Sequence, residues 1–429
     1  MAAAAEKKVE RNLALDAKIK PEDIERAKRQ IGVPQYERNP PFNHVATSDT
    51  MSHYAFAMGD DNPLWHDPEY GKTTRWRSHI AFPLYLQSLG IDETPKPTPE
   101  LKALFKGLFT GVGKYYSGGG WTFYRPVCPG DLIYRQFFTL DVQVKENSKF
   151  SGGVTIIDTY RNVYVNRHGE PVATYDLSYV NAERGAKKEK GKNKDFKRQT
   201  YTKDDIERID AMYAAEERRG AQKRYWDDVQ VGDQLTPVVK GPFTVRDVVG
   251  FHIGWGFGQQ YGSGPLRYGW KLRKKMPNFF SDDEYGVPDT MQRLHWDQNR
   301  AMELGLPAPY DYGTMRTNWL AHLIANWMGD DAWLWRLKVQ ARGFNFIGDT
   351  TICSGEVIEK RIEGGQHLVE LKIQCVNQRG ETTSPGVATV VMPSRAKGAA
   401  LLPTPGDELR ERGANMVSEA ADRLRSGNA

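Results

Sequence analysis

Apolar positions recur along the chain in two similar series. In the first, a stretch rich in Gly, Asp, Asn and His leads to an apolar run at 76–89, then to β-rich runs at 132–145, 153–166 and 173–181. In the second, Leu320, Leu323, Ile324 and Trp327 follow Gly313 at helical spacing on one face. Runs at 351–361, 367–375 and 386–392 then alternate as strands do. Both apolar runs are expected to be helices. One buried helix followed by consecutive strands predicts an α+β fold in which an antiparallel sheet wraps the helix, not alternating βαβ units.

The two series also repeat in detail. Phe123-Tyr-Arg-Pro-Val-Cys-Pro-Gly-Asp131 and Phe344-Asn-Phe-Ile-Gly-Asp349 are aromatic-led and end in Gly-Asp. About 30 residues later come Val165-Asn-Arg-His-Gly-Glu170 and Val376-Asn-Gln-Arg-Gly-Glu381. Asn and Gly tolerate positive φ, so each Asn-x-x-Gly should turn a hairpin. Between the series, 184–198 is polar, like-charged and without apolar period, which predicts a solvated linker. Thr202 before Asp204 and Asp205 then predicts a capped helix. The expected division is an extension at 1–40, a first unit at 41–185, a linker and helix at 186–224, a second unit at 225–395 and a tail at 396–429.

Composition narrows the partners. With 429 residues, two globular units are expected, and 11 Trp, 17 Phe and 20 Tyr can fill both cores. Mean hydropathy is −0.63 and no apolar stretch approaches a membrane span. The first residues lack the apolar segment of a secretory signal. Cys128, Cys353 and Cys375 have no metal-ligand spacing and cannot build a disulfide framework, so a reducing cytoplasm is expected. A net charge of +5 suits an anionic small molecule but is too mild for a nucleic-acid partner. Neither a membrane nor a metal is expected.

The segment Tyr54-Ala-Phe-Ala-Met-Gly-Asp-Asp-Asn-Pro-Leu-Trp-His-Asp67 carries the densest chemistry. It resembles the signature of the MaoC-like dehydratases, which include the (R)-specific enoyl-CoA hydratases. Tyr54, Ala55, Gly59, Asp60, Asn62, Pro63, Leu64 and Asp67 match in register. The family's catalytic histidine, however, falls on Trp65, and His66 is one residue late. Such a shift turns a side chain by about 100° on a helix. The first unit accordingly resembles the FAS1-like dehydratase N-terminal halves of double-hotdog members. Asp60, Asn62 and His66 form an alternative catalytic set, weighed against a role in loop capping.

The second series carries Arg293-Leu-His295-Trp-Asp297, which is similar to the family's Pro-Ile-His-x-Asp end, with His295 on the catalytic position. The upstream aspartate position falls on Phe257. Asp289, six residues before His295, is the nearest candidate carboxylate, with Asp282, Asp283 and Glu284 as further options. Leu306-Pro-Ala-Pro-Tyr-Asp-Tyr-Gly-Thr-Met315 resembles the segment whose glycine opens the family's central helix. A helix's first N–H groups suit an oxygen gaining negative charge, and Gly313 presents no Cβ to an approaching thioester. Tyr312, Tyr310 and Trp296 are candidate substrate-binding residues. In the first unit Phe82-Pro83 replaces that glycine segment, and proline removes a donor. The insert at 259–276 ends in Lys271-Leu-Arg-Lys-Lys275 and could be a lid, an acyl-pocket wall or a solvated helix.

The resemblance implies a double hotdog that adds water reversibly to a 2-enoyl-CoA to give a (R)-3-hydroxyacyl-CoA. His295, Asp289 and the Gly313 amide would do the chemistry and the first unit would form the acyl pocket. No metal or redox cofactor is implied; a homo-oligomer is possible. Two alternatives keep the fold: a non-catalytic binding protein and an acyl-CoA thioesterase.

Overall fold

The computed structural model describes residues 17–36, 41–92, 94–146, 153–183, 196–256 and 264–426. The chain begins with α1 (Pro21–Lys28), α2 (Ser48–Ala57), α3 (Pro63–His66), α4 (Pro68–Thr73), β1 (Ile91–Asp92) and α5 (Pro99–Phe105). Four long strands follow: β2 (Gly113–Phe123), β3 (Ile133–Lys145), β4 (Thr155–Asn166) and β5 (Pro171–Ala182). After α6 (Lys203–Ala214) come β6 (Gln234–Lys240), α7 (Val245–Trp255), α8 (Arg267–Lys275) and the short strands β7 (Phe280–Asp282) and β8 (Pro288–Thr290). Then α9 (Gln298–Glu303) and α10 (Gly313–Met328) precede β9 (Trp333–Gln340), β10 (Thr351–Glu363), β11 (Gln366–Asn377), β12 (Thr382–Met392) and α11 (Asp407–Ser426).

Ten strands make one sheet in the order β1-β3-β4-β5-β2-β9-β12-β11-β10-β6. The two series therefore join edge to edge through antiparallel β2 and β9, from Gly118↔Gln340 to Thr122↔Arg336. Gly118 permits the seam. Its φ is +124°, and a Cβ there would lie 2.2 Å from the Val339 carbonyl oxygen. The architecture is a double hotdog, as expected.

The repeated turns match atom for atom. The Asn166 side-chain oxygen accepts the His168 and Glu170 N–H groups, and the Asn377 oxygen accepts those of Arg379 and Glu381. Gly169 and Gly380 supply φ of +77° and +76°. Likewise Asp131 accepts the Cys128 N–H at 2.8 Å and Asp349 that of Phe346 at 2.9 Å. The Thr202–Asp205 capping box starts α6 as predicted. The linker at 184–195 lies outside the described residues.

The two central helices differ. In α10 every residue from Met315 to Met328 is buried, and the helix packs on β2, β6 and β9 to β12. The helix expected at 76–89 is instead a turn and irregular chain ending in a short 3-10 helix, Pro83–Ser88. The backbone there is committed elsewhere: Ile80 donates to the Leu64 carbonyl and Ala81 to that of Val127. Pro83, lacking an N–H, then starts the turn. The apolar run still fills a core, with Phe82, Leu84, Tyr85, Leu86 and Leu89 buried in one cluster that also holds Leu320 and Ile324 of α10. Apolar content alone therefore did not decide the element type.

Candidate functional site

His295 ends the 3-10 turn Met291–His295. Its position is fixed from both sides. Nδ1–H donates to the Tyr310 carbonyl at 2.8 Å, and the ring stacks on Tyr312 with centroids 3.8 Å apart. That hydrogen bond selects the Nδ1–H tautomer and leaves Nε2 as the basic nitrogen, which has no hydrogen-bond partner among the described residues. Burial pushes the His295 pKa down to about 3; the Tyr310 carbonyl opposes this and nearby His252 adds to it. The ring is neutral at ordinary pH.

Tyr312 is the N-cap of α10, so His295 stands at the positive end of the buried helix. Behind it, Asp311 pairs with Arg316 at 2.9 Å, and Arg316 also donates to the Gly343 and Thr383 carbonyls. These contacts anchor the helix start to the sheet. Burial raises the Asp311 pKa to about 6, with Arg316 pulling it back. Arg293 likewise donates to the Ser281 and Asp282 carbonyls, tying the β7–β8 hairpin beneath the His295 turn.

Three expectations change here. Asp289 does not pair with His295: its carboxylate folds back on the Thr290 N–H at 2.6 Å, and no ion pair links it to the imidazole. A strand followed by a 3-10 turn separates the two side chains, so their spacing in sequence does not bring them together. Asp283 is spent on the hairpin turn, accepting the Tyr285 and Val287 N–H groups. Gly313 leaves no open approach at its α-carbon, because the Tyr116 ring of β2 fills that space and would lie 2.5 Å from a Cβ. Its N–H, in the first turn of α10, still has no partner within the helix.

The neighbour that sequence reasoning missed is His252 on α7, which falls on an alanine position of the family signature. Its ring meets Tyr312 edge-on at 5.0 Å and Trp296 at 6.2 Å. Burial lowers its pKa to about 4. His252, His295, Tyr310, Tyr312, Trp255 and Trp296 thus form an aromatic enclosure holding two neutral imidazoles. A histidine inside an otherwise apolar helical face was the available signal.

The first unit is arranged differently. Asp60 Oδ1 accepts the Asn62 N–H at 3.0 Å, and Asn62 caps α3 through the Leu64 N–H. His66 has both nitrogens engaged: Nε2–H donates to the Asp60 carbonyl, and Nδ1 accepts from Ser52, each at 2.8 Å. It is a staple between α2 and the loop, which removes it from the alternative catalytic set. Trp65 is buried against Phe82.

Asp60 instead faces His322 of α10, Nε2 to Oδ1 3.9 Å, while Lys240 donates to His322 Nδ1 at 2.8 Å and to the Met58 carbonyl. Burial raises the Asp60 pKa to about 6, opposed by the Asn62 N–H, Trp65 and Lys240. The His322 pKa is driven down by burial and by Lys240.

Close by, a cavity of about 40 Å³ is lined by Asn62, Trp65, Phe82, Trp76, Met328 and Asp330. It has room for roughly three waters. It sits at the end of α10 opposite to Gly313, about 24 Å away along 16 residues. This cavity is therefore not beside His295.

Residues 36–175 match the family model of the FAS1-like, dehydratase domain region. No curated protein matches the chain. Among solved structures, one named MaoC-like dehydratase aligns with a TM-score of 0.57 at 15% identity, covering 85% of this chain and 99% of that one. A Mycobacterium tuberculosis protein, Rv0216, described as a double hotdog, aligns at 0.45 and 11%, covering 85% and 97%. The (R)-hydratase from A. caviae aligns over 39% of this chain and 98% of its own at 16% identity and 0.27. The fold is thus the one seen in MaoC-like dehydratases.

Proposed function

We propose, taking as premise the double-hotdog fold shared with MaoC-like dehydratases, that the chain is a hydro-lyase adding water reversibly to a 2-enoyl-CoA to give a (R)-3-hydroxyacyl-CoA. One observation carries this reading: His295 is held by the Tyr310 carbonyl in the tautomer that leaves Nε2 unprotonated, beside the first turn of α10. In the forward direction Nε2 takes a proton from water as its oxygen bonds to C3. The C2=C3 π electrons move toward the thioester carbonyl, whose oxygen gains negative charge near the N–H groups of Gly313 and Thr314. The imidazolium then returns the proton to C2, so H and OH are added and the ring is regenerated. His252 orients the water across Tyr312. With no carboxylate paired to His295 among the described residues, one imidazole shuttles the proton alone.

This chemistry is proton transfer throughout and requires neither metal nor redox cofactor. Among the described residues no helix is long and apolar enough to cross a membrane. Cys353 and Cys375 stand as free thiols with sulfurs 3.7 Å apart, which suits a reducing cytoplasm. The enclosure's Trp and Tyr side chains favour a bulky or aromatic acyl group.

The missing carboxylate favours one second reading, a binding protein that holds acyl-CoA without turning it over. Incubating the full chain with a series of 2-enoyl-CoA thioesters and identifying products by mass spectrometry separates them. A hydroxyacyl-CoA supports the hydro-lyase, whereas free CoA thiol identifies a thioesterase. Saturable binding without product identifies the binding protein.

A further inference from the structure

The helix α8 is exposed and strongly basic. None of its nine residues is buried. It carries Arg267, Lys271, Arg273, Lys274 and Lys275 with no acidic residue, and none of the five is paired with a carboxylate among the described residues. The whole chain holds 59 Lys and Arg against 54 Asp and Glu. The five cations of α8 equal in number the net excess of +5 of the whole chain.

Large apolar side chains accompany the charge. Leu266 just before the helix is 91% exposed, Tyr268 70%, Trp270 45% and Met276 just after it 48%. At 100° per residue, Arg267, Tyr268, Trp270, Lys271, Lys274 and Lys275 share the outward arc. Gly269, Leu272 and Arg273, the less exposed residues, lie on the opposite side. Arg267 lies over the Trp270 ring at 5.4 Å. The nearest acids in sequence, Asp282, Asp283 and Glu284, belong to the β7–β8 hairpin, beyond the 3-10 turn Pro277–Phe279.

We propose that α8 docks on an anionic lipid surface, its cations on the headgroups and Leu266, Tyr268, Trp270 and Met276 in the interfacial layer. Cations mixed with Trp and Tyr on one outward arc, flanked at both ends by exposed aliphatic side chains, are what an interfacial helix presents. A nucleic-acid or acidic-protein partner would account for the charge but not for exposed Leu266 and Met276. The contact is with the bilayer surface and involves no span. It is independent of the hydro-lyase reading, because α8 carries none of the residues assigned to chemistry.

Sedimentation of the full chain with phosphatidylcholine vesicles, with and without phosphatidylglycerol, tests it. Binding should require phosphatidylglycerol and weaken as salt is raised. Lys271→Glu, Lys274→Glu and Lys275→Glu together should reduce it at least about 100-fold, at about fivefold per cation. Since no α8 side chain is buried, this variant should keep wild-type circular dichroism. Leu266→Ser with Trp270→Ala should weaken binding further at high salt, where the apolar contribution remains. Absence of vesicle binding would overturn the proposal, and so would equal binding to neutral vesicles or binding unchanged in the triple variant. A triple variant that loses only affinity for CoA, with no vesicle binding in wild type, would assign the helix to the substrate's phosphates and equally overturn it.

Discussion

The two motif loops match complementary halves of the acid–base pair that the family resemblance implies. In the first unit the aspartate is present and its histidine position is Trp65; Asp60 lies buried with His322 and Lys240. In the second unit the histidine is present and its aspartate position falls on Phe257; His295 stands at the mouth of the long helix with His252 across Tyr312. Each unit also differs in what the loop faces. The first ends on Pro83 and a 3-10 turn, the second on a 16-residue helix with a free first turn. The comparison teaches that signature residues and the helix that makes them useful can separate. The unit with the better-matching signature has the poorer surroundings for chemistry.

The largest effect expected from this contrast is on turnover. His295→Ala should lower kcat/KM for a suitable enoyl-CoA by about 100- to 10,000-fold, the range for a general base, with circular dichroism unchanged. Asp60→Asn should leave turnover within about twofold. The reverse pattern would move the active unit to the first half. The acid limb of the rate profile sharpens the same point. His295 must be neutral to act, and burial sets its pKa near 3. The rate should therefore hold as pH falls through 6.5, the ordinary histidine value. An acid limb near 6.5 would mean the ring is solvated and the enclosure open.

Next in size is the stability effect of Asp60. Its folded pKa of about 6 lies above the unfolded value. Between the two values the folded state binds more protons, so stability falls as pH rises through that window. Above it, ionised Asp60 costs on the order of 3 kcal/mol. Asp60→Asn should remove that cost, raising stability at pH 7 and flattening the denaturation midpoint between about pH 4 and 6. An unchanged slope would place the proton elsewhere in the Asp60–His322–Lys240 cluster.

Much of the fold was legible in sequence because its signals are local. The Asn-x-x-Gly turns at Asn166 and Asn377 are settled by one side-chain oxygen and one glycine each, and the Thr202 cap by three residues. The helix at 76–89 was not legible, since hydrogen bonds to Leu64 and Val127 decided against it. The site divided the same way. Register points to His295, which the structure sets beside the start of α10, whereas Asp289 does not reach it because a change from strand to 3-10 turn intervenes. His252 and His322 belong to no motif; each is set in place by partners brought by distant elements, Tyr312 for one and Asp60 with Lys240 for the other.

A steric test distinguishes the two helix starts. Gly313→Ala would drive a methyl group into the Tyr116 ring, which belongs to the first unit's β2. The tyrosine is packed at the seam, so the cost should be about 1–3 kcal/mol by denaturant titration, with loss of activity as the turn shifts. Restoring room with Tyr116→Leu in the same chain should recover stability. Recovery of activity together with stability would show that the clash with Tyr116 alone caused the loss.

The smallest expected effect concerns His66, which matches the family's histidine almost but not in register. It joins α2 to the motif loop by two hydrogen bonds, to Ser52 and to the Asp60 carbonyl. Removing such bonds at a half-buried site typically costs about 0.5–1.5 kcal/mol each, less whatever water restores. His66→Ala should therefore lower the denaturant midpoint modestly while leaving kcat for the enoyl-CoA unchanged. Because the ring serves only as a clamp, His66→Gln, which can both donate and accept, should recover part of the lost stability. If kcat instead fell with His66→Ala and returned with neither stability nor Gln, the first unit would be taking part in the chemistry, and the division between an inert and an active loop would fail at the residue where it looks weakest.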